Sequence, residues 1–116
     1  MNEHRRYKRR TVPQAVEVVD TMTERVVGRI GNLSAGGMML IGTTPFTEEA
    51  LYQLRFTLPD GRSRLRPIQV GAQMLWSDSG SGSGQIWTGF RFITILTRDA
   101  GFLRIWADAT EVGDPA

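Results

Sequence analysis

A run of basic side chains near the N-terminus is the first feature of the sequence that could do chemistry. Five of the six residues from Arg5 to Arg10 are arginine or lysine, and Arg6 and Arg10 are spaced Arg-x-x-x-Arg. A guanidinium group can stack on a purine, donate two N–H groups to the O6 and N7 edge of guanine, or hold a phosphate. The run therefore indicates an anionic partner, although taken alone such a run is more often a solvated tail or a general nucleic-acid arm.

A second candidate element is the segment Asn32-Leu33-Ser34-Ala35-Gly36-Gly37, which lies between two predicted strands. If the alternation of the strand continues, Asn32 and Ser34 project to one side and offer an amide and a hydroxyl to base edges or phosphate oxygens. Gly37 could take a positive φ or let a ligand approach the backbone. The structural alternative is an Asx or Ser turn whose side chains bond only their own backbone.

Composition limits the function classes. The chain has 116 residues, no cysteine and a single histidine, His4, which excludes a thiolate site and gives little support to a histidine-based catalytic centre. We therefore expect no enzyme, no cofactor and no metal site. No apolar run reaches the roughly 20 residues of a membrane span, and the charged N-terminus does not look like a signal peptide, so we expect a cytoplasmic protein without membrane insertion.

Hydrophobic alternation predicts six strands. The period-two pattern is clearest at Tyr52 to Leu58, where apolar side chains alternate with polar ones, as in a half-buried strand. The other strands are predicted at Val12–Asp20, Glu24–Leu33, Met38–Ile41, Arg66–Ser77 and Ile86–Ile93. Between the last two, the sequence SDSGSGSG has little to bury and is expected to be a flexible hairpin loop.

One segment near the C-terminus follows a helical period. Phe102, Ile105, Trp106 and Ala109 are spaced i, i+3, i+4, i+7, which predicts an amphipathic helix with Thr97 as a plausible N-cap. The predicted fold is mostly β: a six-stranded antiparallel barrel with a C-terminal α-helix. We expect a flexible arm over residues 1–11, the barrel and helix over 12–112, and a disordered tail over 113–116. A second basic stretch, formed by Arg62, Ser63, Arg64 and Arg66, is expected to be a solvated turn or strand edge and not a site.

The order and separation of the two candidate elements resemble the PilZ family. Its signature is Arg-x-x-x-Arg near the domain start, followed one strand pair later by Asp/Asn-x-Ser-x-x-Gly. Matching positions are Arg6 and Arg10 for the first motif and Asn32, Ser34 and Gly37 for the second. The segment Gly89-Phe90-Arg91-Phe92 is similar to a further family pattern, Gly-x-x-Phe, and the resemblance covers nearly the whole chain.

The resemblance implies a receptor for cyclic di-GMP. Arg6 and Arg10 would engage guanine and phosphate groups, while Asn32, Ser34 and Gly37 would hold a guanine on the barrel surface. In this family, arginine in the position before the first motif, here Arg5, is typical of domains that bind two intercalated ligands, so two are expected per chain. Arg9 is a candidate phosphate contact. Trp76 is either a base contact or part of the barrel core.

The resemblance also implies how the domain would transmit its signal. Ligand binding would order the arm and change the interaction with an unidentified effector protein in motility, biofilm or virulence control. The chain is expected to act as a monomer without nucleic acid. Two alternatives remain open from the residues: a nucleic-acid-binding small β-barrel with a basic arm, and a PilZ-like protein-interaction adaptor that does not bind nucleotide.

Overall fold

The computed structural model describes residues 9–12, 15–61, 64–79 and 84–113. These residues form seven strands and one helix. The elements, in chain order, are β1 (Arg10–Thr11), β2 (Glu17–Asp20), β3 (Arg25–Leu33), β4 (Gly37–Gly42), β5 (Leu51–Pro59), β6 (Leu65–Asp78), β7 (Ile86–Ile95) and α1 (Thr97–Gly113).

Six of the strands close into an antiparallel barrel. The order around the ring is β3-β2-β5-β6-β7-β4, and the pairing of β4 with β3 completes it. Strand β1 lies outside the ring and pairs with β3. The predicted six-stranded antiparallel barrel with a C-terminal helix is therefore confirmed, with one additional short strand.

Strand β1 results from an interruption of the first predicted strand. Instead of one strand over Val12–Asp20, the chain pairs with β3 at Arg10–Thr11, leaves the sheet, and pairs with the same edge of β3 again at Glu17–Asp20. Hydrogen bonds from Val12 N to Gly31 O (3.1 Å) and from Ile30 N to Val16 O (2.9 Å) flank the interruption. The end of the basic run is thereby attached to the C-terminal end of β3.

The barrel interior is filled by the inward-facing side chains of the alternating strands. Leu54, Phe56 and Leu58 of β5 are almost completely buried, as the period-two pattern predicts. From α1, Leu103 and Ala107 are buried, and Phe102 and Trp106 pack against the core from one face of the helix. The helix therefore packs on the barrel as an amphipathic element, but Ile105, which the sequence period placed on the apolar face, is 70% exposed.

An ion pair fixes the first turns of α1 to the barrel. Arg66 Nη2 lies 2.8 Å from Asp99 Oδ1, which is buried, and the Arg66 guanidinium lies 4.5 Å above the ring of Phe102. Asp99 is in the first turn of the helix, where a carboxylate is favoured by the helix dipole. The expectation of a solvated turn or strand edge holds only in part for Arg66, which lies in β6 and remains 32% exposed, because a buried carboxylate and an aromatic face pack against it.

Two glycines give a stability test of this packing. A Cβ at Gly37 would overlap the backbone carbonyl oxygen of Phe90, whereas a Cβ at Gly101, inside α1, would meet nothing within 4 Å. We expect Gly37→Ala to lower the free energy of unfolding by about 1–3 kcal/mol, because neighbouring strands must separate. Gly101→Ala should raise it by up to about 1 kcal/mol through helix propensity. Urea denaturation of both variants checks this; equal effects would contradict the described approach of β4 and β7.

Candidate ligand site on the barrel surface

A row of paired residues crosses the outer face of the barrel. Thr11 pairs with Asn32, Asn32 with Met39, Met39 with Gly89, and Gly89 with Trp76. Directly paired residues of antiparallel strands project to the same face. The row therefore brings an amide, a thioether and an indole from β3, β4 and β6 onto one surface, although they are up to 44 positions apart in the sequence.

A β-bulge at Gly31 turns Asn32 outward. Ile30 pairs with Leu40 and Asn32 with Met39, so Gly31 is an extra residue in β3. Ile30 is buried in the core, and strict alternation would place Asn32 inward beside it. Because the bulge shifts the alternation by one residue, Asn32 faces the surface instead.

A second bulge has the same effect on Trp76. Met74 pairs with Phe90 and Trp76 with Gly89, so Leu75 is the extra residue in β6. Met74 is buried, whereas Trp76 is 45% exposed. The indole lies directly over Gly89, where a Cβ would overlap Nε1 and Cε2 of Trp76. Of the two expectations for Trp76, a place in the barrel core is therefore wrong, and a surface place beside Asn32 is found.

Arg9 brings positive charge to this surface. Its Nη1 donates a hydrogen bond of 2.7 Å to Oδ1 of Asn32. The contact follows from the register, because Arg9 is two residues from Thr11, which pairs with Asn32 on the same face. The guanidinium and the carboxamide are thus in contact, and the indole of Trp76 lies on the same surface. Together they supply charge, a two-way hydrogen-bonding group and a flat stacking surface.

Arg10 faces the opposite side of β1. It pairs with Leu33, which is completely buried. Its guanidinium lies 4.2 Å above the ring of Trp106 in α1 and donates a hydrogen bond of 3.2 Å to the Trp106 carbonyl oxygen. Burial lowers the pKa of Arg10 below the usual arginine value. Of the two described arginines in the basic run, Arg9 reaches Asn32 and Arg10 reaches the helix.

Ser34 and Gly37 shape the turn that follows Asn32. Ser34 is buried. Its Oγ accepts hydrogen bonds from Gly36 N (3.1 Å) and Gly37 N (3.2 Å), and its hydroxyl donates one to Gly37 O (3.3 Å). The expected projection of Ser34 beside Asn32 does not occur, because the strand ends at Leu33. Gly37 has no positive φ; its lack of a side chain accommodates the Phe90 backbone.

A shallow hollow of about 280 Å³ lies over the row. Its walls are formed by Arg9, Asn32, Met38, Met39, Leu75, Trp76, Gly89 and Phe90. A larger hollow of about 540 Å³ lies beside Asp99, but there Arg66 already pairs with Asp99 and Arg55 with Glu24. Chemistry rather than size therefore singles out the Asn32 hollow as the candidate ligand site.

The remaining sequence candidates, Arg5 and Arg6, lie outside the described residues. Among the residues that are described, no three side chains of the metal-binding types form a group that could hold an ion. Over the same parts of the chain, α1 is the one described helix, and it is not long and apolar enough to cross a membrane.

Comparison with known protein families identifies the family to which the chain is related. The family model for the PilZ domain matches residues 3–104, which is most of the chain. The chain belongs to the PilZ family. The match includes the basic run, the Asn32 turn, the Gly89 strand and the start of α1. Among curated proteins, no sequence matches the chain.

Solved structures of PilZ proteins share the fold of this domain. The Bacillus subtilis inhibitor of motility MotI (DgrA) superposes with a TM-score of 0.81 at 18% identity, over 97% of this chain and 53% of MotI. Escherichia coli YcgR in complex with c-di-GMP gives 0.70 at 18% identity, over 94% and 46%. The isolated YcgR PilZ domain with c-di-GMP gives 0.64 at 18%, over 98% and 100%. The chain thus spans about half of MotI and of the longer YcgR chain.

The contact between Trp76 and Gly89 can be tested by stability alone. We expect Gly89→Ala to lower the free energy of unfolding by about 1–2 kcal/mol, because the new methyl group must push the indole away. In a Trp76→Ala background the same change should be neutral or raise stability by up to about 1 kcal/mol, since glycine inside a strand is unfavourable. Equal effects in both backgrounds, measured by urea denaturation, would show that the indole does not lie on Gly89.

Proposed function

We propose that this PilZ domain is a receptor for cyclic di-GMP and that the ligand binds over the Asn32 hollow. The observation that carries the proposal is the grouping of Arg9, Asn32 and Trp76 on one surface of the barrel. The c-di-GMP complexes of YcgR and of Klebsiella MrkH, which share this fold, support the choice of ligand. The conclusion for this chain rests on its own side chains.

Each group of the hollow matches a group of the ligand. Cyclic di-GMP has two guanines and two phosphates. The Asn32 amide can accept from a guanine N–H group and donate to a ring nitrogen or carbonyl. The exposed indole of Trp76 offers a stacking surface for a purine. Arg9, which donates to Asn32 in the described state, would turn its guanidinium to a phosphate or to a guanine edge.

The arrangement supports a different pairing of the arginines from the one that the sequence indicates. Arg6 and Arg10 were expected to form the motif, but Arg10 is engaged by Trp106 on the other face of β1. An Arg-x-x-x-Arg motif also exists one residue earlier, at Arg5 and Arg9. We propose that Arg5 and Arg9 are the ligand-binding pair, with Arg6 as an additional cation. Ser34 and Gly37 contribute by holding the turn beside Asn32.

The chain is proposed to act as an adaptor rather than an enzyme, in the cytoplasm and as a monomer. Ligand binding would fix the segment that precedes Arg9 over the barrel and thereby alter the surface offered to an effector protein. Motility control is one plausible output, since the structural relatives include an inhibitor of motility. Biofilm and virulence control are the others that the family suggests.

Isothermal titration with cyclic di-GMP tests the site. We expect micromolar or tighter binding by the wild-type protein, and a loss of roughly 10- to 100-fold in affinity for Arg9→Ala and for Asn32→Ala, because each leaves a polar group of the ligand unpaired. Asn32→Asp should keep the affinity, since a carboxylate can accept two guanine N–H groups. Arg25→Ala, at the far end of β3, is the matched control and should bind like wild type.

Three outcomes would contradict this assignment. The wild-type protein could give no heat with cyclic di-GMP at micromolar concentration. Arg9→Ala and Asn32→Ala could bind like wild type. The chain could instead bind single- or double-stranded nucleic acid with a steep salt dependence, which would identify the small nucleic-acid-binding barrel.

The stoichiometry of the same titration tests the role of Arg5. If Arg5 pairs with Arg9, Arg5→Ala weakens binding as strongly as Arg9→Ala does, and this is the result that we expect. If instead Arg6 and Arg10 are the motif pair and Arg5 is the residue before the motif, the wild-type protein binds two stacked ligands per chain and Arg5→Ala binds one. The number of ligands per chain and the affinity, fitted together, separate the two arrangements.

A further inference from the structure

The neighbouring residues Arg9 and Arg10, at the start of β1, connect the ligand hollow with α1. Arg9 donates to Asn32 at the ligand hollow, and Arg10 stacks on Trp106 of α1 and donates to its carbonyl oxygen. One peptide bond separates the two residues. A displacement of Arg10 from the helix therefore moves Arg9 relative to Asn32 as well.

Strand β1 is short, and its contacts among the described residues are few. Arg10 and Thr11 pair with Leu33 and Asn32 of β3, and Val12, which follows them, donates a backbone hydrogen bond to Gly31 and is buried in the core. A two-residue strand is a weak element by itself. The contact of Arg10 with Trp106 adds to these attachments and joins β1 to the helix.

The helix has separate attachments at its start and at its middle. Asp99 and Phe102 are held by Arg66 of β6, which belongs to the closed barrel. Trp106, one turn further along, is held by Arg10 of β1. The first attachment is remote from the ligand hollow, whereas the second is linked to it through the β1 backbone.

We infer that Arg10 is a positioning residue for the ligand site, which it serves by fixing β1 to Trp106 so that Arg9 stays beside Asn32. The inference rests on the proposed binding of cyclic di-GMP. Coupling between two sites is reciprocal. Ligand that holds Arg9 must therefore stabilise the Trp106 region of α1, which makes the middle of the helix a reporter of the occupied site.

Binding measurements on both partners of the stack test the inference. Trp106→Leu changes no charge and lies on the other face from the hollow, yet it should weaken cyclic di-GMP binding by about fivefold, the lower end of typical coupling between sites. Arg10→Lys, which keeps the charge but loses the planar fork, should weaken it by a similar factor. The double variant should be no weaker than either single one, because both remove the stacking of the guanidinium on the indole, while the Trp106 backbone carbonyl stays available as an acceptor in both.

Arg66→Lys is the matched control. It alters the other arginine that stacks on α1 and should also lower the stability of the fold, since Arg66 pairs with the buried Asp99 and lies over Phe102. Its affinity for cyclic di-GMP should remain within about twofold of wild type. General loosening of the helix would instead weaken binding in Arg66→Lys as much as in Trp106→Leu.

Hydrogen exchange supplies a second readout. Cyclic di-GMP should slow the exchange of backbone amides in the helix turn after Trp106 in wild type and have no such effect in Arg10→Lys. Without ligand, Trp106→Leu should speed exchange of the Val12 amide, which bonds Gly31.

The failures can be told apart. Absence of binding by wild type overturns the proposed function, and the ligand-free exchange of Val12 then still decides whether Trp106 holds β1. Binding that is unchanged in Trp106→Leu, or additive losses for Arg10→Lys and Trp106→Leu, overturns the positioning role alone.

Discussion

The pairing of the last two residues of β3 on both of their edges is the constraint on which the site depends. Asn32 and Leu33 pair with Thr11 and Arg10 on one edge and with Met39 and Met38 on the other. This double pairing fixes the position of the basic run and decides which of its side chains faces outward. It also sets the face of Asn32 and the start of the turn at Ser34. The chemistry of the hollow is thus a consequence of backbone register.

Local sequence patterns predicted most of the strands and the helix, but not the outward positions of the residues that follow a bulge. Alternation at Tyr52–Leu58 and the helical spacing of Phe102 and Trp106 predicted a strand and a helix that the structure contains. The bulges at Gly31 and Leu75 could not be predicted in this way, because an extra residue depends on the partner strand. Each bulge reverses the side on which the next residue lies, and Asn32 and Trp76 owe their surface positions to these reversals.

The different contacts of Arg9 and Arg10 illustrate the same limit of prediction from local sequence patterns. The sequence offers two overlapping Arg-x-x-x-Arg registers, and only the pairing of Thr11 with Asn32 shows which arginine shares the face of the hollow. The contact of Arg66 with Asp99 was also missed, since 33 residues separate them. An acidic residue in the first turn of an amphipathic helix was the available signal, and it did not identify the partner.

Closure of the barrel restricts how another protein can recognise this domain. Each of the six ring strands has a neighbour on both sides in the described structure, but β2 and β5 pair only at Val19–Arg55 and Asp20–Leu54, which leaves part of the β5 edge unpaired. The outer strand β1 is two residues long. A partner that adds a strand would find only these short edges, so most of the barrel surface can be recognised through its side chains and not through a shared backbone ladder.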